Sequence, residues 1–492
     1  MRFRAIADAV GTVTVFFSLT LVVPIIVGLI YHEPLLGLLK TFGLPALLSV
    51  VLGGVLKILG EGKSRDIRYR EALATVSISW LLMSFIGALP YLLSGLMLTF
   101  TDAYFESMSG FTATGATVVE DLTAYPLSLL FWRSFTQWIG GMGVVVLSVA
   151  ILTALLGGGR AGNLLMRGEV PGHTYTKIAP RVAETAKILW GIYALFTGVE
   201  TLLLILLGMS PFDALTHSFT TLAGGGFSPR PGNIEYFYNY PHAPIIEVVL
   251  MVFMIAGSTN FVLHYRLIYK RDFQSYFKSS EFRVYMGILA IAIVAVMADL
   301  VAHTKLAPAT ALRHASFQVV SIMSTTGYNT VDFGLWPALA QFILFFLLFT
   351  GAMSGSTSGS IKLARYMIIF KSGKKSLYRL LHRRSHVTVR VGGEVISDDV
   401  IDSVGIFIVL YLFAFIAASL ALTAMHMDFV SAISAVATCI GNVGPGLGVV
   451  GPASTFLTVP VPGRWVLVTV MWLGRLEIIP CLILFFPETY RR

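Results

Sequence analysis

Four short stretches decide how this chain folds: FTATGAT (111–117), TLAGGGF (221–227), MSTTGYN (323–329) and CIGNVGPG (439–446). Aligned on one glycine each, Gly115, Gly226, Gly327 and Gly444, they share more than that glycine. Twelve residues earlier all four have alanine (Ala103, Ala214, Ala315, Ala432). Six earlier all four have a hydroxyl (Ser109, Thr220, Ser321, Thr438), and four earlier all are apolar (Phe111, Leu222, Met323, Ile440). Choosing Gly225 instead of Gly226 destroys the alanine agreement. The glycines are spaced by 111, 101 and 117 residues, so a unit of roughly a hundred residues is repeated four times.

The surrounding sequence is that of a membrane protein. Of 492 residues, 56% are hydrophobic and only 12% charged, with a mean hydropathy of +0.79; a soluble globular chain carries about 25% charged residues. Apolar runs of roughly 20 residues, each long enough to cross a bilayer, recur from end to end, enough for about ten spans. The first run (about 9–31) is too long for a signal-peptide core and has no small-x-small cleavage site. Two spans come first, about 9–31 and 36–59. Four units follow, each a long apolar helix, a semi-polar segment and a second long helix. The first helices are expected at about 71–98, 183–208, 281–302 and 401–425, and the second at about 127–156, 244–268, 336–371 and 462–485. The corresponding division is 1–62 (helix pair), 63–160, 161–272, 273–392 and 393–492 (units one to four).

The net charge of +9 reports topology, not nucleic acid. Basic residues cluster at Arg2/Arg4, 63–70 (KSRDIRYR), 160–187, 266–283, 362–390 and Arg491/Arg492, and the segments between the other spans are poor in them. The positive-inside pattern then puts both termini in the cytoplasm and requires an even number of spans. Cys439 and Cys481 sit in apolar surroundings and imply no disulfide.

About ten residues of helix leading into a glycine turn are too short to span. The segment must dip in and return, and non-helical backbone at that depth is tolerated only where it is buried or lines water. Four such loops can surround one axis, with glycine allowing successive carbonyls to aim inward and replace an ion's hydration shell. No acidic ring accompanies them, which favours a carbonyl filter for a monovalent cation. Close helix packing is the competing use of such glycines, but four loops in register argue for the filter. Two further features stand out. The long second helix of unit three is interrupted by TGAMSGSTSGS (350–360), whose Gly351, Gly355, Ser356, Thr357 and Gly359 make a broken segment below the filter, with Lys362 just after it. Arg475 lies eleven residues beyond Arg464, near mid-membrane, where an ionisable side chain faces a cavity or a partner. Glu477, two positions on, points to another face.

The four M1–P–M2 units, each with one filter glycine, resemble the Trk/Ktr/HKT superfamily of potassium transporters. RSFTQWIGGMGVVVL (133–147), GNVGPGLG (441–448) and the extra N-terminal helix pair are similar to its bacterial TrkH-type branch, and the likeness covers essentially the whole chain. The resemblance implies an all-α polytopic protein in the bacterial or archaeal cytoplasmic membrane, a homodimer in which each protomer passes potassium through its own pore. It implies a cytoplasmic ring of TrkA-type, nucleotide-binding RCK regulatory subunits that gates the pore, with the basic run 371–391 as its contact. It also implies ion-facing carbonyls at Thr112, Ala113 and Thr114, at Ala223, Gly224 and Gly225, at Ser324, Thr325 and Thr326, and at Gly441, Asn442 and Val443. Glycine rather than serine at 115 goes with potassium preference. Loop two departs from the pattern, reading A-G-G-G where a hydroxyl is more usual. By the same resemblance 350–360 blocks the pore, and Arg475 projects under the filter, bonds that loop and repels cations.

A secondary transporter of monovalent cations coupled to protons or sodium is the rival from another class. Its inverted repeats and broken helices are met here by units of one orientation with all turns on one side, although coupling itself is not written in these residues. An enzyme is not expected, since there is no H-E-x-x-H and no G-x-S-x-G. The 350–360 run lacks the GK[ST] ending of a P-loop, and GGGRAG (157–162) follows a membrane helix, not a strand. The histidines show no metal spacing, and His217 is expected to be a helix hydrogen-bonder. No bound cofactor is implied beyond the transported ion.

Overall fold

A computed structural model describes residues 1–60, 69–97, 99–156, 182–382 and 387–487. The basic loops at 63–68 and 160–181, GGGRAG, residues 383–386 of the basic run and Arg491/Arg492 lie outside the described residues.

The N-terminal pair is Phe3–Ile30 and Leu35–Gly60. Their crossing is set by small residues. A Cβ on Gly11 would stand 2.6 Å from the Gly53 carbonyl oxygen, and one on Gly53 would stand 2.8 Å from that of Gly11. The Ser49 hydroxyl donates to the Thr14 carbonyl across the same contact (2.7 Å). With lipid tails as apolar as leucine, this backbone approach rather than hydrophobic drive holds the pair together.

Each unit then runs long helix, short helix, loop, second helix. The long helices are Tyr69–Leu93, Val182–Leu206, Ser280–His303 and Asp398–Ala424. The short ones, Phe100–Phe111, Pro211–Ala223, Pro308–Met323 and Phe429–Gly441, have 12 to 16 residues. Three are started by a side chain accepting from the amide three residues on: Thr99 from Asp102, Ser210 from Asp213, Asp428 from Ser431. The third starts with Pro308 in the first turn, where its missing N–H costs nothing.

The second helices depart from the sequence reading in units two and four, while that of unit three is interrupted where the sequence reading put the break. That of unit one is the continuous Leu127–Leu156. In unit two the expected 244–268 helix is two pieces, Ala243–Gly257 and Phe261–Lys270, bent by 100°. Asn260 restarts the helix by accepting the Val262 amide (2.8 Å). In unit three the long 336–371 run is Ala338–Leu347 and Leu363–Leu381 with irregular chain between. In unit four the 462–485 run stops at Arg475 and resumes as Ile479–Leu482. Pro480 supplies no N–H to continue the ladder, and Glu477 and Ile478 take positive φ. The first helix of unit one ends at Leu93, not 98, on a Gly95 turn with φ +79°. The hairpin Val389–Val391/Glu394–Ile396, unexpected from the basic run, is antiparallel and buries Val389, Val391 and Ile396 against Ile368, Val400 and Val404.

Six described helices are long and apolar enough to cross a bilayer, and the bent pair of unit two makes a seventh. Gly53→Val should overpack the N-terminal crossing at a cost of about 1–3 kcal/mol. A lowered melting temperature of the detergent-purified protein is expected, and an unchanged one would mean that the two helices are not held by this contact.

Candidate filter and the segment beneath it

The four short helices end in one hydrogen-bonding pattern. The residue two before each aligned glycine is left-handed: Ala113 (φ 48°), Gly224 (67°), Thr325 (61°) and Asn442 (54°). Its amide donates three residues back, to Gly110, Thr221, Ile322 and Cys439. The next amide donates five back, from Thr114 to Ser109, Gly225 to Thr220, Thr326 to Ser321 and Val443 to Thr438, all at 2.8–2.9 Å. This pair of bonds is the Schellman termination of a helix, so the hydroxyl residues of the repeat mark the carbonyl that closes it. The aligned glycines are left-handed too, at φ 82°, 71°, 77° and 110°, which explains glycine there.

The loops also meet in cyclic order. A Cβ on Gly115 would strike the Gly225 carbonyl oxygen, one on Gly226 that of Thr326, and one on Gly327 that of Val443; one on Gly444 would lie 2.8 Å from that of Thr114. Each contact is to the residue before the next loop's glycine, and the fourth returns to the first. All sixteen expected filter residues are thus brought together. Among the described residues no donor reaches the carbonyl oxygens of Thr112, Ala113, Thr114, Ala223, Gly224, Ser324, Thr325, Thr326, Gly441, Asn442 or Val443, whereas Gly225 accepts from Gln137. Buried carbonyls are nearly always paired, so eleven together at the negative ends of four helices make a strongly cation-seeking place.

Side chains that sequence reasoning passed over tie the loops together. Gln137, on Leu127–Leu156, donates through Nε2 to the Gly225 carbonyl (2.7 Å) and accepts the Phe227 amide at Oε1 (3.1 Å). Tyr328 Oη donates to the His217 carbonyl (3.0 Å) and is hydrogen-bonded to Thr220 Oγ1, joining loop three to the second short helix. Asn442 Nδ2 reaches Thr114 Oγ1 and the Met471 carbonyl, both at 3.0 Å. Behind the filter Arg133 meets Glu106 (2.5 Å), donates to the Ser228 carbonyl (2.8 Å) and covers the Phe227 ring, while Glu106 accepts from Thr117 and the Val118 amide. The only signal of these in the sequence was polar residues inside apolar runs. His217 is the expected helix hydrogen-bonder, Nδ1 to the Asp213 carbonyl and Nε2 to Ser228 Oγ. No group of three or more metal-ligating side chains occurs among the described residues.

Directly against the loops lies 350–360. The Gly359 amide donates to Thr325 Oγ1 of loop three (2.8 Å), and a Cβ on Gly359 would strike the Gly441 carbonyl oxygen of loop four. Thr357 Oγ1 donates to the carbonyls of Leu222 and Gly257 (2.8 and 2.9 Å). The Met353 and Thr357 amides end the first half of the bent helix at Ser258 and Gly257, and the Gly355 carbonyl accepts the Phe261 amide that begins the second. Ser356 Oγ bonds the Met353 carbonyl (2.6 Å), Gly351 N the Ile361 carbonyl (3.0 Å), and Lys362 Nζ the Ser358 carbonyl. Glu281 staples both ends, accepting the Ser354 and Ala364 amides. Arg475 is 3% exposed and donates to the carbonyls of Thr357 (2.8 Å) and Gly140 (3.3 Å). Glu477 turns away to Arg365 (2.5 Å).

These features define a multi-span, predominantly helical membrane protein whose polar centre is made of backbone carbonyls. A family model described as "TrkH: Cation transport protein" matches residues 41–489, and the chain belongs to that family. It is 38% identical over 496 residues to the "Trk system potassium uptake protein TrkH" of Vibrio parahaemolyticus and 37% identical over 494 residues to the protein of that name from Salmonella typhimurium, covering 100% of both chains in each case. The solved "Crystal Structure of the Potassium Transporter TrkH from Vibrio parahaemolyticus" is similar with a TM-score of 0.89 at 36% identity, again over 100% of both chains.

Arg133→Ala would leave Glu106 buried without its cation, a loss of about 3–5 kcal/mol for a broken buried pair. Thermal unfolding in detergent should begin well below that of the unaltered protein; coincident curves would show that Arg133 contributes nothing to holding the loops.

Proposed function

We propose that this protein carries potassium across the cytoplasmic membrane through a carbonyl-lined filter of four re-entrant loops in pseudo-fourfold arrangement, one from each of the units 63–160, 161–272, 273–392 and 393–492. The observation that carries this reading is the cyclic glycine-to-carbonyl contact of Gly115, Gly226, Gly327 and Gly444. A closed ring of backbone carbonyls, all but that of Gly225 without a donor among the described residues, suits a dehydrated monovalent cation, because its ligands need no charge of their own. The potassium uptake in the names of its relatives agrees with it.

Segment 350–360 is the gate in this reading, and Arg475 its latch. The support is its position against loops two, three and four and the bond of its Thr357 carbonyl to the Arg475 guanidinium. A fixed positive charge beneath a cation filter raises the barrier to passage while the segment is in place. Lys362, at the exit of the segment, adds to that barrier. The family resemblance further supports a homodimer, cytoplasmic termini, and control by a cytoplasmic nucleotide-binding RCK subunit of the TrkA type contacting 371–391.

The test is flux in proteoliposomes under imposed gradients of potassium, rubidium, sodium and lithium. Potassium and rubidium should pass ahead of sodium. Gly115→Ser should narrow that preference, and Arg475→Ala should raise basal flux several-fold, as removal of a buried charge-assisted contact allows. Absence of flux in both the unaltered protein and Arg475→Ala would overturn the reading. Uptake that runs against a potassium gradient only when a proton or sodium gradient is applied would replace it with coupled transport.

A further inference from the structure

Loop two is the odd member of the filter. In loops one and three the residues three and one before the glycine are hydroxyl-bearing, and they bond each other: Thr112 to Thr114 at 2.7 Å and Ser324 to Thr326 at 2.8 Å. Loop two has Ala223 and Gly225 at those places and no hydroxyl to do this. It does have a neighbour in the same space. A Cβ built on Gly225 would stand 2.5, 2.6 and 2.8 Å from Cδ, Oε1 and Nε2 of Gln137. The amide therefore occupies the position that a side chain at 225 would take, and it bonds the loop from there through Gly225 O and Phe227 N.

The internal repeat shows that this is specific to unit one. In units one, two and four a glycine of the second helix rests on the carbonyl of the apolar residue four before the filter glycine: Gly140 on Phe111, Gly257 on Leu222 and Gly474 on Ile440. Three residues before those glycines stand Gln137, Met254 and Met471. The loop met next in cyclic order is loop two for unit one, loop three for unit two and loop one for unit four. Where that loop has threonine before its glycine (Thr326, Thr114), the helix carries methionine. Where it has Gly225, the helix carries glutamine.

We propose that Gln137 is a positioning residue for ion selection, its amide standing in for the hydroxyl that loop two lacks; the proposal rests on the filter reading above. Gln137 is fully buried, so its amide has no water to turn to, and both its bonds go to loop two. They fix the level of the Gly225 carbonyl, the one of the twelve filter carbonyls that has a partner among the described residues. A carbonyl has two lone pairs, so accepting from Gln137 leaves Gly225 one to offer an ion. Without the amide the all-glycine stretch 224–226 has no side chain to stop it relaxing around a smaller cation, and selection over sodium is lost before conduction is.

The experiment compares potassium and sodium flux in proteoliposomes for the unaltered protein and three variants. Gln137→Leu keeps the volume and removes both bonds. It should lower the potassium-to-sodium ratio about tenfold, the order that one lost buried hydrogen bond supports, while potassium flux persists. Gly225→Ser alone places a side chain into the amide and should reduce flux of both ions. Gln137→Ala with Gly225→Ser puts a hydroxyl into the vacated space and should recover most of the lost selectivity. If Gln137→Leu fails to fold, Gln137→Asn, one methylene short of loop two, carries the same expectation. An unchanged ratio in Gln137→Leu or Gln137→Asn, or a double variant no more selective than that single variant, overturns the proposal. Non-selective flux in the unaltered protein instead overturns the filter reading, and this proposal with it.

Discussion

Everything near the centre of this molecule depends on how four short helices stop. Inside a bilayer a turned-back chain has no water to complete its hydrogen bonds. Here each helix is closed by two amides folded onto its own last carbonyls, at Ser109, Thr220, Ser321 and Thr438 and one residue beyond. That closure uses up the amides and leaves the following carbonyls free, so a device that terminates a helix also produces a row of acceptors. It demands left-handed backbone at Ala113, Thr325 and Asn442, conformations that cost of order 1–3 kcal/mol each for residues other than glycine and persist only where the surroundings fix them. The surroundings do so through Tyr328, Asn442, Gln137 and the Arg133–Glu106 pair.

The four glycine turns and their register were legible in the sequence because they rest on backbone rules. Gly115, Gly226, Gly327 and Gly444 need positive φ, the alanines twelve residues earlier are fully buried in the short helices, and the hydroxyl residues supply the closing carbonyls. The interruption at 350–360 was legible for the same reason, as was the burial of Arg475. Close packing is the work of other glycines, Gly140, Gly257 and Gly474, which the sequence reading did not single out. Glycine does both jobs, on different helices.

What was not legible depends on contacts between distant parts of the chain. The sequence Gly257–Asn260 marks a break in the helix but not a 100° bend. The bend exists because amides from residues 353 and 357, about a hundred positions away, end the helix there. Gln137 in RSFTQWIGG reads as one of several polar residues in an otherwise apolar helix until Gly225, 88 residues on, is placed beside it. The hairpin at 389–396 was hidden under a charge pattern that says where a loop faces but not what it folds into.

The bend of unit two and the segment 350–360 are a single hydrogen-bonded object. Straightening the helix would reclaim the Gly257 and Ser258 carbonyls for its own ladder and strand the amides of Met353 and Thr357. Withdrawing the segment would strand those carbonyls unless the helix straightened. Neither half can move alone without leaving backbone groups bare in a water-poor interior, so rearrangement at this junction is a concerted exchange of partners between two units.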